Sequence, residues 1–132
     1  MSQSVAVGHR LTPLAVPQIT QDEVNAYLVV SGDDNPLHTD RDLAYRAGLA
    51  NIPVPGMMVM AQMEQFIYSW APCRNITKLM SRFVVPVLVD GDLGLEGRVV
   101  ALDADAGQAV LRVTAAQAGK ISVIAEAEVT IV

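Results

Sequence analysis

The sequence contains a single cysteine, Cys73, only two histidines and no cluster of lysine and arginine. One cysteine cannot form a disulfide within the chain, and two histidines without neighbouring cysteines do not complete a structural zinc site. Nine basic residues against fourteen acidic ones give a net charge of −5, which argues against binding to a phosphate backbone. We therefore expect no disulfide, no metal or other cofactor, and no nucleic-acid partner.

Long apolar runs are also missing. No stretch approaches the length of a membrane-spanning helix, and residues 1–10 lack the apolar core of an export signal, so we expect a cytoplasmic protein with no membrane attachment. The 132 residues fit a single domain, 1–132. Apolar residues make up 52% of the chain and charged residues only 17%, which indicates that another chain covers part of the surface. A homo-oligomer is expected.

Helix signals occupy the first half of the chain. Thr20 and Glu23 have the spacing of a capping box, and Gly32 is placed to end the helix that this box begins. Three helices are predicted: residues 21 to 30, a short helix that Asp40 opens and Gly48 ends, and an apolar core helix from 57 to about 70.

The second half of the chain has the texture of an antiparallel sheet. Four strands separated by turn residues are predicted at 78–89, 93–102, 109–114 and 121–132, after an extended N-terminal segment at 5–16. Pro86 is expected to form a bulge in the first of the four strands. Helices followed by a meander without βαβ units indicate the α+β class. A helix that is apolar nearly all round must be buried, so we expect the sheet to cover the core helix.

The loop between the first two helices carries an acid and an imidazole. Asp33 and His38 flank turn-forming residues, and Pro36 disfavours a helical conformation at Asn35. A rigid loop can hold both groups toward one water, as general acid–base catalysis requires. An isolated Asp-x-Asn-Pro segment more often only organises a turn, and that interpretation stays open on the loop alone. Its position between two capped helices favours an enzyme.

Several motifs in the loop and after it occur together in this chain. They are Ser31-Gly32-Asp33-x-Asn35-Pro36-Leu37-His38-x-Asp40, Ala47, Pro53, Pro55-Gly56-Met57, Phe83-x-x-Pro86-Val87 and Gly91-Asp92. In these motifs the sequence resembles the MaoC-like, (R)-specific enoyl-CoA hydratase family, over residues 18 to 132. The resemblance implies a single hot dog fold, in which a curved antiparallel sheet wraps a long central helix. It also implies a homodimer, with a heterodimer or a higher oligomer as alternatives.

The resemblance implies a reaction and roles for four residues. The reaction is hydration of a trans-2-enoyl thioester to an (R)-3-hydroxyacyl thioester, or the reverse dehydration, on coenzyme A or an acyl carrier protein. Asp33 and His38 would be the catalytic pair, Asn35 would orient the loop or the water, and the Gly56 amide would face the thioester oxygen. A hot dog thioesterase and a non-catalytic acyl-binding subunit of a heterodimeric dehydratase remain alternatives.

Two residues depart from what this family would lead us to expect. Pro55 stands where the family usually has histidine, so it supplies neither a side-chain donor nor an N–H. Glu64 falls among apolar residues on a helical wheel, where an unpaired acid is costly. Either it reaches solvent or an arginine at the helix edge, or it enters the substrate tunnel near Asp33 and His38.

Overall fold

A computed structural model describes residues 4–132. The chain forms four helical pieces and five strands: β1 (Leu14–Val16), α1 (Gln21–Ser31), a 3₁₀ turn (Pro36–His38), α2 (Arg41–Arg46), α3 (Gly56–Ser69), β2 (Cys73–Phe83), β3 (Leu93–Asp103), β4 (Gln108–Gln117) and β5 (Lys120–Ile131). The predicted α+β class is confirmed. Within the described part of the chain, every helix falls short of the length and apolarity that crossing a membrane would need.

Local capping signals define α1. The Thr20 side chain accepts from the Glu23 N–H, and the Glu23 carboxylate accepts from the Thr20 N–H, as the capping box predicts. Gly32 follows the helix with φ of 72°, a left-handed conformation that glycine adopts without steric cost. Asp40 caps α2 in the same way by accepting from the Leu43 N–H. The start and end of α1 are therefore as predicted.

The five strands form one antiparallel sheet in the order β1-β3-β4-β5-β2. Alternate residues of β4 and β5 point into the core: Leu111, Val113, Val123, Ala125, Ala127 and Val129 are all buried. Met63, Phe66 and Ile67 of α3 are buried in the same cluster. One apolar core thus joins the central helix to one face of the sheet.

The strand predicted at 78–89 lies elsewhere than expected. β2 starts at Cys73 and ends at Phe83, so Pro86 lies outside the strand and forms no bulge in it. The N–H groups of Val84 and Val85 both reach the Ser122 carbonyl, which ends the regular ladder. The following residues, 87–89, pair instead with 52–54. Similarly, the N-terminal segment 5–16 contributes only β1 and an isolated bridge from Arg10 to Arg98.

The expected burial of α3 holds for only part of its circumference. Val59, Met63, Phe66 and Ile67 are buried, whereas Met57, Ala61, Glu64 and Tyr68 are exposed along one side. This side lies beside β2, since the Tyr68 hydroxyl accepts from the Ile76 N–H of that strand. β2 is an edge strand of the sheet: it pairs with β5 on one side, and within residues 4–132 no strand pairs with its outer edge.

Candidate active site

Side-chain oxygens of the loop hold its own backbone. The Ser31 hydroxyl accepts from the Asp33 N–H at 3.4 Å, Asp33 Oδ1 accepts from the Asn35 N–H at 3.0 Å, and Asn35 Oδ1 accepts from the Leu37 N–H at 3.1 Å. Each contact spans two residues, as in Asx turns. Asn35 also caps the 3₁₀ turn Pro36–His38. Hydrogen bonds between its own residues thus hold the loop. They occupy Asp33 Oδ1 and leave Asp33 Oδ2 without a partner in the loop.

Two further contacts fix His38. Its Nδ1 lies 2.8 Å from the Pro53 carbonyl oxygen, and its own carbonyl accepts from Gln21 Nε2 at 2.8 Å. A carbonyl can only accept, so we assign the ring proton to Nδ1. In the neutral imidazole the other nitrogen, Nε2, then carries a free lone pair. The ring is therefore oriented with an acceptor facing Asp33.

The two functional groups meet across a gap. Asp33 Oδ2 lies 3.8 Å from His38 Nε2, and the exposed fractions of the two side chains are 36% and 14% respectively. This separation is too long for a direct hydrogen bond and is suited to a bridging water. The loop therefore brings together the acid and the imidazole that the sequence singled out, at a distance that one water can bridge by contacting both atoms.

Distant parts of the chain support the carbonyl that holds His38. The segment 52–54 pairs with 87–89, through hydrogen bonds from the Val54 N–H to the Val87 carbonyl and from the Val89 N–H to the Ile52 carbonyl. Gln117, at the end of β4, forms two hydrogen bonds with the backbone of Leu88, in the middle of the segment 87–89. Its side chain accepts from the Leu88 N–H at 2.9 Å and donates to the Leu88 carbonyl at 3.0 Å. Sequence reasoning missed Gln117, because nothing near it in the chain marks this contact.

The start of α3 is built differently. Pro55 occupies the N-cap and makes no side-chain cap, and the described residues offer no acceptor to the Gly56 N–H. Phe83 packs directly against this glycine: a Cβ at position 56 would lie 3.0 Å from Phe83 Cζ. Together they border a cleft of about 340 Å³, whose other lining residues are Val54, Val59, Val84, Val85, Pro86 and Val87. The unpaired amide thus belongs to a residue that borders a cleft lined by apolar side chains.

Glu64, the remaining predicted site residue, and the single cysteine lie outside this arrangement. Glu64 is exposed on α3 and forms no ion pair within residues 4–132. Cys73 begins β2, and partial burial raises the pKa of its thiol, which disfavours a reactive thiolate. In the same part of the chain no three His, Cys, Asp or Glu side chains gather as a metal site.

Comparison with known proteins places the chain in a family. The sequence pattern of the MaoC like domain matches residues 5–121. The chain belongs to this family. The resemblance to this family over residues 18 to 132 is thereby confirmed.

Solved structures confirm the hot dog fold predicted for this family. The (R)-hydratase from A. caviae involved in PHA biosynthesis superposes with a TM-score of 0.86 at 27% identity, over 99% of this chain and 100% of that one. The ChsH1-ChsH2 complex from Mycobacterium tuberculosis gives a TM-score of 0.85 at 22% identity, over 98% of this chain and 100% of the matched chain. The second likeness, at its lower identity, concerns the fold alone.

Among curated relatives, the mitochondrial 3-hydroxyacyl-[acyl-carrier-protein] dehydratase of Arabidopsis thaliana is 35% identical over 77 residues, which are 58% of this chain and 46% of the relative. The 3-hydroxyacyl-thioester dehydratase X of Mycobacterium tuberculosis is 32% identical over 83 residues, 63% of this chain and 29% of the relative. The chain spans about half or less of the length of the curated relatives that it matches.

Proposed function

We propose that this MaoC-like domain is a hydro-lyase that adds water to trans-2-enoyl thioesters to give (R)-3-hydroxyacyl thioesters, or catalyses the reverse dehydration. The observation that carries the proposal is the gap of 3.8 Å between Asp33 Oδ2 and His38 Nε2. Both atoms are free acceptors, because Asp33 Oδ1 and His38 Nδ1 are occupied by the Asn35 N–H and the Pro53 carbonyl. One water can donate a hydrogen bond to each of them.

This arrangement meets the demands of hydration. Water is a weak nucleophile, so a base must take one of its protons while its oxygen bonds to the β-carbon of the enoyl group. His38 Nε2 accepts that proton while Asp33 orients the water. A proton then passes from the pair to the α-carbon, so the elements of one water are added and both residues return to their starting state. Asn35 keeps the loop in the geometry that these steps require.

Charge develops on the thioester oxygen during the addition. We assign its stabilisation to the Gly56 N–H, which has no acceptor within the described residues and lies at the N-terminus of a 14-residue helix. The partial positive charge at this end of a helix favours an anion. His38 and Gly56 are linked through Pro53, whose carbonyl holds the imidazole three residues before the glycine. The same short segment therefore positions both parts of the site.

The test is hydration of crotonyl-CoA, followed as loss of enoyl-thioester absorbance. We expect turnover by the wild-type protein and loss of nearly all of it in Asp33→Asn and His38→Ala, with the far-UV circular dichroism of both variants unchanged. Asp105→Asn, an exposed acid in the β3–β4 turn, is the matched control and should retain full activity. Turnover that survives both site changes would remove Asp33 and His38 from the mechanism.

Two alternatives have distinct readouts. A hot dog thioesterase would release free thiol from an acyl-CoA, which a hydratase does not. A non-catalytic subunit of a heterodimeric dehydratase would show neither reaction alone. The ChsH1-ChsH2 structure shows that this fold also occurs in a complex of two different chains.

We also propose that two copies of the chain associate through β2. Its outer edge has no partner within residues 4–132, and a free strand edge readily pairs with another strand. Exposed apolar side chains flank this edge: Met57, Tyr68, Met80 and Phe83. Glu64 lies on the same exposed side of α3, so association would cover it. Sedimentation velocity on the protein made alone should show a dimer, and Glu64→Gln tests whether the acid contributes to turnover.

A further inference from the structure

Phe83 is the aromatic side chain nearest to the amide assigned to the thioester oxygen. Its ring lies so close to Gly56 that a Cβ there would approach Cζ to 3.0 Å and Cε1 to 3.2 Å. The contact joins the last residue of β2 to the first residue of α3. A substrate whose carbonyl reached the Gly56 N–H would therefore have its neighbouring atoms against this ring.

The space behind the ring is suited to an acyl chain. The cleft of about 340 Å³ has no charged or polar side chain in its lining. Apolar walls of valine and proline can bury methylene groups but cannot hold the charged part of coenzyme A. The acyl group is thus the part of a thioester that this cleft would accept.

The ring also takes up part of that space. Phe83 is 48% exposed in the single chain, so the core of that chain does not enclose it. Phe83 lines the cleft together with Gly56 and lies against it, so its ring occupies room that added acyl carbons would need. An aromatic ring at this point favours short acyl groups over longer ones, because an apolar pocket discriminates chiefly by the room it leaves.

We propose that Phe83 is a specificity-determining residue that limits the length of the acyl group bound beside Gly56. This inference rests on the proposed function for the identity of the ligand, an acyl thioester. The role of Phe83 adds to the proposed function the residue that selects between short and long acyl chains.

The test measures binding separately from turnover. Butyryl-CoA and octanoyl-CoA are saturated thioesters that cannot be hydrated, and their dissociation constants are measured by isothermal titration calorimetry on wild type, Phe83→Leu and Phe83→Ala. We expect wild type to prefer butyryl-CoA. Phe83→Ala should shift the ratio of the two constants toward octanoyl-CoA by at least about tenfold, which is the lower end of the effect of one methylene in an apolar pocket. Phe83→Leu should fall between.

Met80→Ala is the matched control, since Met80 lies on the same strand, is 51% exposed and is not among the residues that line the cleft. It should leave the ratio unchanged. An unchanged ratio in Phe83→Ala, in a protein that binds both ligands, overturns the role of Phe83 and leaves the hydratase proposal standing. Chain-length selection that shifts in a protein without crotonyl-CoA turnover supports Phe83 and rejects the hydratase. Binding of neither ligand rejects both.

Discussion

The loop that carries Asp33 is held by its own residues, whereas the surroundings of Gly56 are held by residues far away in the chain. In the loop, three hydrogen bonds each span two residues. Around Gly56, the Leu88 backbone is hydrogen-bonded by Gln117, 29 residues away, and Phe83, at the end of β2, packs against the glycine. The difference shows that the proposed site combines a loop determined by its own residues with a pocket that exists only in the complete fold.

The largest expected effect concerns the amide at the start of α3. Gly56→Pro removes the N–H while keeping a residue that is favoured at the first position of a helix. Loss of one oxyanion donor should lower kcat about 100- to 1,000-fold. Gly56→Ala keeps the N–H and adds only the Cβ that meets Phe83, so it separates the steric effect from the lost donor. Steady-state kinetics on crotonyl-CoA provide the measurement. Equal kcat in the two variants would argue against an oxyanion role for this amide.

The next effect tests the long-range support. Gln117→Ala deletes both hydrogen bonds to Leu88, and we expect unfolding free energy to fall by about 2 kcal/mol, since each bond contributes roughly 1 kcal/mol. Urea denaturation measures this loss. Because the 52–54 segment pairs with 87–89 and its Pro53 carbonyl holds His38, turnover should also decrease. Gln108→Ala, at the exposed opposite end of β4, is the control. A destabilised Gln117→Ala protein with undiminished turnover would show that the imidazole does not depend on this support.

A smaller effect probes the local support. Asn35→Ala removes the cap of the 3₁₀ turn, whose loss costs about 1 kcal/mol at a helix start, and should reduce kcat about tenfold. Asn35→Asp keeps the Oδ1 acceptor for the Leu37 N–H but loses the amide donor. If Asn35 acts by holding the loop, the aspartate variant regains most of the activity. If the amide itself orients the water, Asn35→Asp stays as slow as Asn35→Ala.

The same division explains what the sequence could predict. The capping box at Thr20, the left-handed Gly32 and the Asp33–Asn35 turn depend on residues within a few positions of each other, and all follow from sequence. The end of β2 does not, because it depends on where Val87 finds its partner in Val54. Pro86 was therefore expected in the strand and lies beyond it.

Helical periodicity has a related limit. It places Glu64 correctly beside Met57 and Tyr68, but it cannot say which side of α3 the sheet covers. That side is exposed in the single chain, so apolar neighbours in the wheel did not imply burial. The contact between Phe83 and Gly56 likewise joins two elements whose separation in sequence gives no sign of their proximity.

The smallest effect asks how independent the loop is of the helix before it. Thr20→Ala removes the acceptor for the Glu23 N–H and should destabilise the protein by about 1 kcal/mol, measured as a lower urea midpoint at unchanged slope. Thr20→Ser keeps the hydroxyl and serves as the control. Gln21, the first residue of α1, donates a hydrogen bond to the His38 carbonyl. Loss of the cap could therefore affect the site by fraying the first turn of α1 and moving Gln21.

If the short-range hydrogen bonds suffice to hold the loop, kcat of Thr20→Ala under native conditions stays within about twofold of wild type, the range expected for a substitution away from the site. A larger loss of kcat, restored in Thr20→Ser, would mean that the positions of Asp33 and His38 depend on Gln21 and on α1. The loop would then depend on its neighbours much as the surroundings of Gly56 do, and the contrast between the two halves of the site would narrow to a difference of degree.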